Sequence, residues 1–125
     1  MRPTHLADAS AWGQLHRNDV AARLVPLLVG GGAATCGITD LEVLGAFEDP
    51  VERAEAAAER AMFPRVAIDD SVITRALEVQ ALVAGVAVTA LIVAAAAERA
   101  DLVLLHADEA YDRIAAVTGQ PVEPV

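Results

Sequence analysis

No lysine occurs anywhere in this chain of 125 residues, and all nine of its basic side chains are arginine. That absence excludes several chemistries at once. A P-loop needs a lysine after its glycines, so Gly30-Gly31-Gly32 reads only as a turn. Receiver-type and haloacid-dehalogenase-type phosphotransfer place a lysine beside the aspartate, and none is available. Cysteine is nearly as scarce: Cys36 stands alone, so no internal disulfide forms and a reducing, intracellular setting is expected. It lies in an apolar run and reads as core rather than as a nucleophile. His5, His16 and His106 lack zinc-site spacing with it. His106, following a run of buried type, reads as structural rather than catalytic.

Aromatic residues make up only 3% of the chain, while hydrophobic residues make up 55%. The core must therefore be built from Ala, Val, Leu and Ile. The first ten residues carry Asp8 and no apolar stretch, so a signal peptide is not expected. The uncharged stretch 81–97, which Gln80 and Glu98 bound, falls just short of the roughly 18 residues that a membrane-spanning helix needs. The length suits one domain, 1–125, with one core. Eighteen acids against nine bases leave a net charge of −9. Such a surface repels a polyanion unless a metal ion or a local basic groove intervenes, and it attracts a basic partner segment.

What is present is an alternation of short apolar runs with longer segments of helical period, which predicts an α/β fold with a mainly parallel sheet. Strands are expected at 5–8, 34–38, 65–68 and 102–106, with a last edge strand at 121–125. Between them the pattern predicts helices over 10–16, from an Asn18 cap to Gly30, and from Thr39 onward. Asp49-Pro50 opens another, 71–84 is amphipathic through Val72, Ala76, Val79 and Leu82, and Thr89 opens the next. Asp108 caps the final helix, which Gly119 ends.

Asp8, Glu42 and Asp108 share a topological address on this reading, since each follows the carboxyl end of a strand, where open parallel sheets place their ligand sites. Three close anions repel one another unless a cation compensates them, and hard Mg²⁺ or Mn²⁺ prefers oxygen ligands. Each acid also has a capping explanation. Asp8 and Asp108 precede helices, and Thr39-Asp40-Leu41-Glu42 has the form of a capping box.

These residues resemble a known family. His5-Leu6-Ala7-Asp8-Ala9-Ser10-Ala11-Trp12 looks like the opening strand and D-x-S-A of the PIN domain, specifically of VapC toxins. The segment Cys36-Gly37-Ile38-Thr39-Asp40-Leu41-Glu42-Val43 is similar to the one carrying their glutamate. Leu104-Leu105-His106-Ala107-Asp108, followed by Tyr111-Asp112-Arg113-Ile114-Ala115, resembles their C-terminal acidic motif. The resemblance implies a PIN-like three-layer α/β domain, a central sheet flanked by helices. It implies Mg²⁺- or Mn²⁺-dependent cleavage of RNA in the cytoplasm by the toxin of a type II toxin–antitoxin pair. It also implies a homodimer inhibited by a cognate antitoxin, with no membrane role. Carried over by position, Asp8, Glu42 and Asp108 would be the metal-site acids, and Ser10 a helper positioning water or phosphate.

The departures from the family pattern are specific. By its register Ala90 stands where a third acid is expected, and Ala110 where a further acid often occurs. The connection before Ala90 is short and lacks the usual basic and polar residues. Ala90 fits both an aspartate replaced to silence a toxic enzyme and a native alanine in a degenerate member. Three functions are therefore carried forward: a VapC-like endoribonuclease, a non-catalytic protein of the same fold that sequesters an antitoxin, and an unrelated α/β domain whose acids are only caps. An antitoxin segment is expected in a groove lined by Trp12, Leu15, Val43 and Leu44, where a partly buried indole makes a natural anchor.

Overall fold

The computed structural model describes residues 2–125. Five parallel strands form one sheet: β1 (His5–Ala7), β2 (Ala33–Cys36), β3 (Arg65–Val66), β4 (Val103–His106) and β5 (Val122–Pro124). Their spatial order is β3-β2-β1-β4-β5. The chain thus begins in the middle, builds outward to β3, and returns to place β4 on the other side of β1. That reversal creates a crevice beyond the carboxyl ends of β1 and β4, the switch point at which such sheets bind ligands.

Among the described residues seven helices connect the strands: α1 (Ala9–Trp12), α2 (Asn18–Val29), α3 (Gly37–Gly45), α4 (Pro50–Arg60), α5 (Asp70–Gln80), α6 (Val88–Arg99) and α7 (Glu109–Thr118). Alternation along the strands sends neighbours to opposite faces. Leu6 and Leu104 enter a core shared with α5, α6 and α7, whereas Ala7 and Leu105 enter a smaller one with Leu24 of α2, against which Trp12 packs. The sheet is the middle layer of three.

Helix α6 explains the alanine bias. Residues 93–97 are all buried, and side chains that small let the helix lie close against the sheet. In α5, Val72, Ala76 and Val79 are buried as their spacing predicts, but the helix ends at Gln80 and Leu82 is left 60% exposed.

Three helix caps differ from the sequence reading. Helix α2 takes Arg17 rather than Asn18 as its N-cap, and α6 takes Ala87 and places Thr89 inside its first turn. Helix α3 starts at Gly37, two residues before Thr39. Thr39 is fully buried there, its hydroxyl 3.4 Å from Cys36 Sγ, so the capping box that would have occupied Glu42 is not formed. None of the described helices is long and apolar enough to cross a membrane.

Candidate active site

Asp8 is the first residue after β1, and the sheet buries it almost completely, at 4% exposure. Its backbone N–H donates to the carbonyl of Leu105, which ties it to β4. The carboxylate is densely hydrogen-bonded. Oδ2 accepts the Ser10 backbone N–H at 2.9 Å and the Ser10 hydroxyl at 2.7 Å, while Oδ1 accepts the Tyr111 hydroxyl at 2.7 Å. Asp8 therefore does cap α1, as its bland explanation required, and it also sits at the base of the crevice.

Ser10 joins both walls of that crevice. Its single hydroxyl proton goes to Asp8, and its oxygen accepts the backbone N–H of Ala107 at 2.9 Å. Through these two bonds it holds the first acid and the β4–α7 loop together.

Asp108 is exposed and caps α7, accepting the Ala110 N–H at 3.0 Å. Its own N–H donates to Nδ1 of buried His106 at 3.2 Å, which leaves the neutral ring's proton on Nε2. Nε2 lies 3.2 Å from Asp112 Oδ1, out of line for a hydrogen bond. These contacts fit the structural role expected of His106.

Glu42 lies exposed on α3. Partial burial, reinforced by the negative fields of Asp8 and Asp108, pushes its carboxyl above the usual glutamate range. The same two acids and Glu42 add to the burial that raises the Tyr111 phenol. Acids from three distant parts of the sequence therefore share one electrostatic neighbourhood.

Their chemistry suits a hard divalent cation, because all three offer oxygen and each would be relieved of repulsion by it. Asp8, Glu42 and Asp108 are the residues that would hold such an ion. The fit is loose, since among the described residues no three His, Cys, Asp or Glu are grouped to grip an ion directly. Ala90 is buried in the first turn of α6, a turn that contains no acid and has no side-chain cap.

Beside the acids lies an apolar groove of about 290 Å³ lined by Trp12, Leu15, Val43 and Phe47, with Glu42 at its rim. Phe47, just beyond the end of α3, takes the place expected for Leu44 and lines the groove beside Val43. Trp12 is half-buried and stacks on Phe63 with ring centroids 5.6 Å apart. The Arg60 guanidinium lies 4.6 Å from the indole centroid. Arg60 is itself buried, donating to Asp40 Oδ1 at 2.7 Å and to Thr35 Oγ at 2.9 Å. Sequence reasoning missed both this network and the Tyr111–Asp8 bond, for no local pattern pairs residues so far apart in the chain.

The PIN domain family model matches residues 6–117. Ribonuclease VapC18 of Mycobacterium tuberculosis is 35% identical, over 93% of this chain and 90% of its own length. Ribonuclease VapC21 of the same species is 37% identical, over 98% of this chain and 94% of its own. Among solved structures, a toxin–antitoxin complex from Klebsiella pneumoniae superposes with a TM-score of 0.78 over 96% of both chains, at 17% identity. That last likeness speaks for the fold, and the two mycobacterial relatives speak for the family. With the match running from β1 into α7, this chain belongs to the PIN-domain family and, within it, to the VapC ribonucleases.

Proposed function

We propose that this protein is the toxin of a type II toxin–antitoxin pair, a VapC-type endoribonuclease that acts on RNA in the cytoplasm with Mg²⁺ or Mn²⁺. The observation that carries the reading is the placement of Asp8 after β1, Asp108 after β4 and Glu42 on α3 around the switch-point crevice, where burial and the two aspartates together raise the Glu42 carboxyl. Acids that repel one another at such a point suit a site that a cation completes. A bound divalent cation supplies Lewis acidity toward a phosphodiester oxygen and lowers the pKa of water. The chain's part is to hold Asp8, Glu42 and Asp108 around it, with Ser10 fixing Asp8 against the β4–α7 loop. Ala90 weakens the set, so cutting by this chain is slow.

Calorimetry with Mn²⁺ tests the assignment. Weak, saturable binding is expected for the unaltered chain, and its loss in a folded Asp8→Asn variant. Binding unchanged by that substitution would place the ion elsewhere.

The partner is proposed to be a small antitoxin with a basic, partly disordered tail. Its apolar residues would fill the Trp12–Phe47 groove and an arginine would pair with the acids, as a planar guanidinium pairs with carboxylate through two hydrogen bonds. A net charge of −9 favours that encounter. A pull-down from the native host is expected to recover a small basic protein, with recovery reduced by both Trp12→Ala and Asp8→Asn. Equal recovery by both folded variants removes the antitoxin reading. The proposed homodimer would use the apolar cleft between α5 and α6, where Leu77 and Val88 are 61% and 62% exposed.

The second reading is a non-catalytic member that sequesters an antitoxin without cutting RNA. Ala90, Ala110 and the lack of a tight grouping of acids among the described residues favour it. A nuclease assay in Mg²⁺ and Mn²⁺ separates the two, since the first predicts slow metal-dependent cleavage and the second predicts none.

A further inference from the structure

We propose that Tyr111 is a positioning residue that holds Asp8 by hydrogen bonding and, in doing so, restricts the carboxylate's hold on a cation. The inference rests on the proposed metal site. A carboxylate offers about four acceptor positions. In this chain three are filled: two on Oδ2 by the Ser10 N–H and hydroxyl, and one on Oδ1 by the Tyr111 hydroxyl. The remaining position lies on Oδ1, so Asp8 has one oxygen to offer.

The phenol is well fixed in that role. Tyr111 is 3% exposed in the core shared with Leu6, Cys36 and Ala90, and its ring lies tilted at 50° to His106 with centroids 5.3 Å apart. Its hydroxyl proton points into the crevice at the one carboxylate that the sheet buries. A buried carboxylate requires partners, and hydrogen-bond donors and a cation satisfy it in the same way. Tyr111 therefore does part of an ion's work in the ion's absence. Asp8 stays ordered without metal, and a cation gains less by arriving.

Tyr111→Phe removes the donor and keeps the ring. The variant is expected to melt lower than the unaltered chain without metal, because Asp8 has lost a partner. It is also expected to bind Mn²⁺ about tenfold more tightly, the equivalent of one hydrogen bond to a charged group, and to gain more in melting temperature on adding Mn²⁺. A merely structural tyrosine would lower the melting temperature equally with and without the ion, and that result, or unchanged or weaker Mn²⁺ affinity, overturns the proposal alone. Absence of Mn²⁺ binding by both proteins overturns the metal site and the proposal with it.

A second measurement needs no variant to fold. Tyr111 is the only tyrosine in the chain, so its ultraviolet resonance Raman doublet reports the hydrogen-bond state of this one hydroxyl. The doublet is expected to keep the form of a phenol donating to a carboxylate as the unaltered chain is saturated with Mg²⁺. A change to the form of a phenol that no longer donates would mean that the ion displaces the bond, and it overturns the proposal.

Discussion

Ala90→Asp is expected to make this protein's stability depend on a divalent ion and to raise its RNA cleavage by at least about tenfold, as restored transition-state stabilisation of ~1.4 kcal/mol would. Two physical effects oppose each other at the position. The first turn of α6 has no acid and no capping side chain, so the helix dipole favours a carboxylate there by ~0.5 kcal/mol. Ala90 is, however, 5% exposed within the main core. An unpaired carboxylate buried there costs several kcal/mol, and burial wins. A helix terminus by itself would accept an acid without harm to folding, and it is the burial of Ala90 that reverses the sign here. Without metal the variant is expected to melt roughly 10 °C lower, corresponding to about 3 kcal/mol. Millimolar Mg²⁺ or Mn²⁺ should restore most of the loss by compensating all four acids together. Thermal melting with and without Mn²⁺, beside an RNA cleavage assay, checks both halves. A folded variant whose melting ignores the ion and which cuts no RNA would favour the antitoxin-sequestering reading.

The second large effect is expected at Asp40, which has no proposed part in the chemistry. Asp40→Ala leaves the Arg60 guanidinium, 4% exposed and lying against Trp12 and Phe63, without its carboxylate. Removing one member of a buried pair costs about 3 kcal/mol, because the remaining charge is neither solvated nor compensated. Denaturant unfolding should show that loss at neutral pH. Burial alone would raise the Asp40 carboxyl, but hydrogen bonds from Arg60, Thr35 and Arg65 prevail and hold it below the usual aspartate range. A depressed carboxyl adds stability above its unfolded-state pKa, and that stability is lost as pH falls through the folded-state value. The difference between the unaltered chain and Asp40→Ala should therefore narrow on acidification below the ordinary aspartate range. A difference constant down to strongly acidic pH would mean that the pair contributes nothing through its charge. The Arg60 side chain also supports Trp12, and Asp40 shares α3 with Glu42, so weaker recovery of the proposed antitoxin is expected of the same variant.

Local signals placed the elements because their physics is local. Asp49 followed by proline opens α4, with the Asp49 carboxylate accepting the N–H groups of Val51 and Glu52. Gly119 ends α7 in the left-handed conformation at φ 74°, which glycine adopts without steric cost. The spacing of Val72, Ala76 and Val79 turns one face of α5 to the core. Where several polar residues competed to start a helix, the local signal misled. Thr39 resembles a cap, yet α3 starts at Gly37 and draws that threonine under Cys36, because filling the core outweighs one capping bond.

By itself the sequence determined the α/β alternation, the candidates Asp8, Glu42 and Asp108, the family resemblance and the alanine at position 90, since each is written in residue type and spacing. Only the tertiary structure decided how those acids are held. Tyr111 reaches Asp8 across 103 positions of chain, and Ser10 reaches Ala107 across 97. Arg60 closes on Asp40 and Trp12 from the far end of α4. Such contacts leave no periodic trace, because they depend on the strand order that sets β1 beside β4 and on a buried carboxylate's need for donors from whichever segments the fold brings within reach.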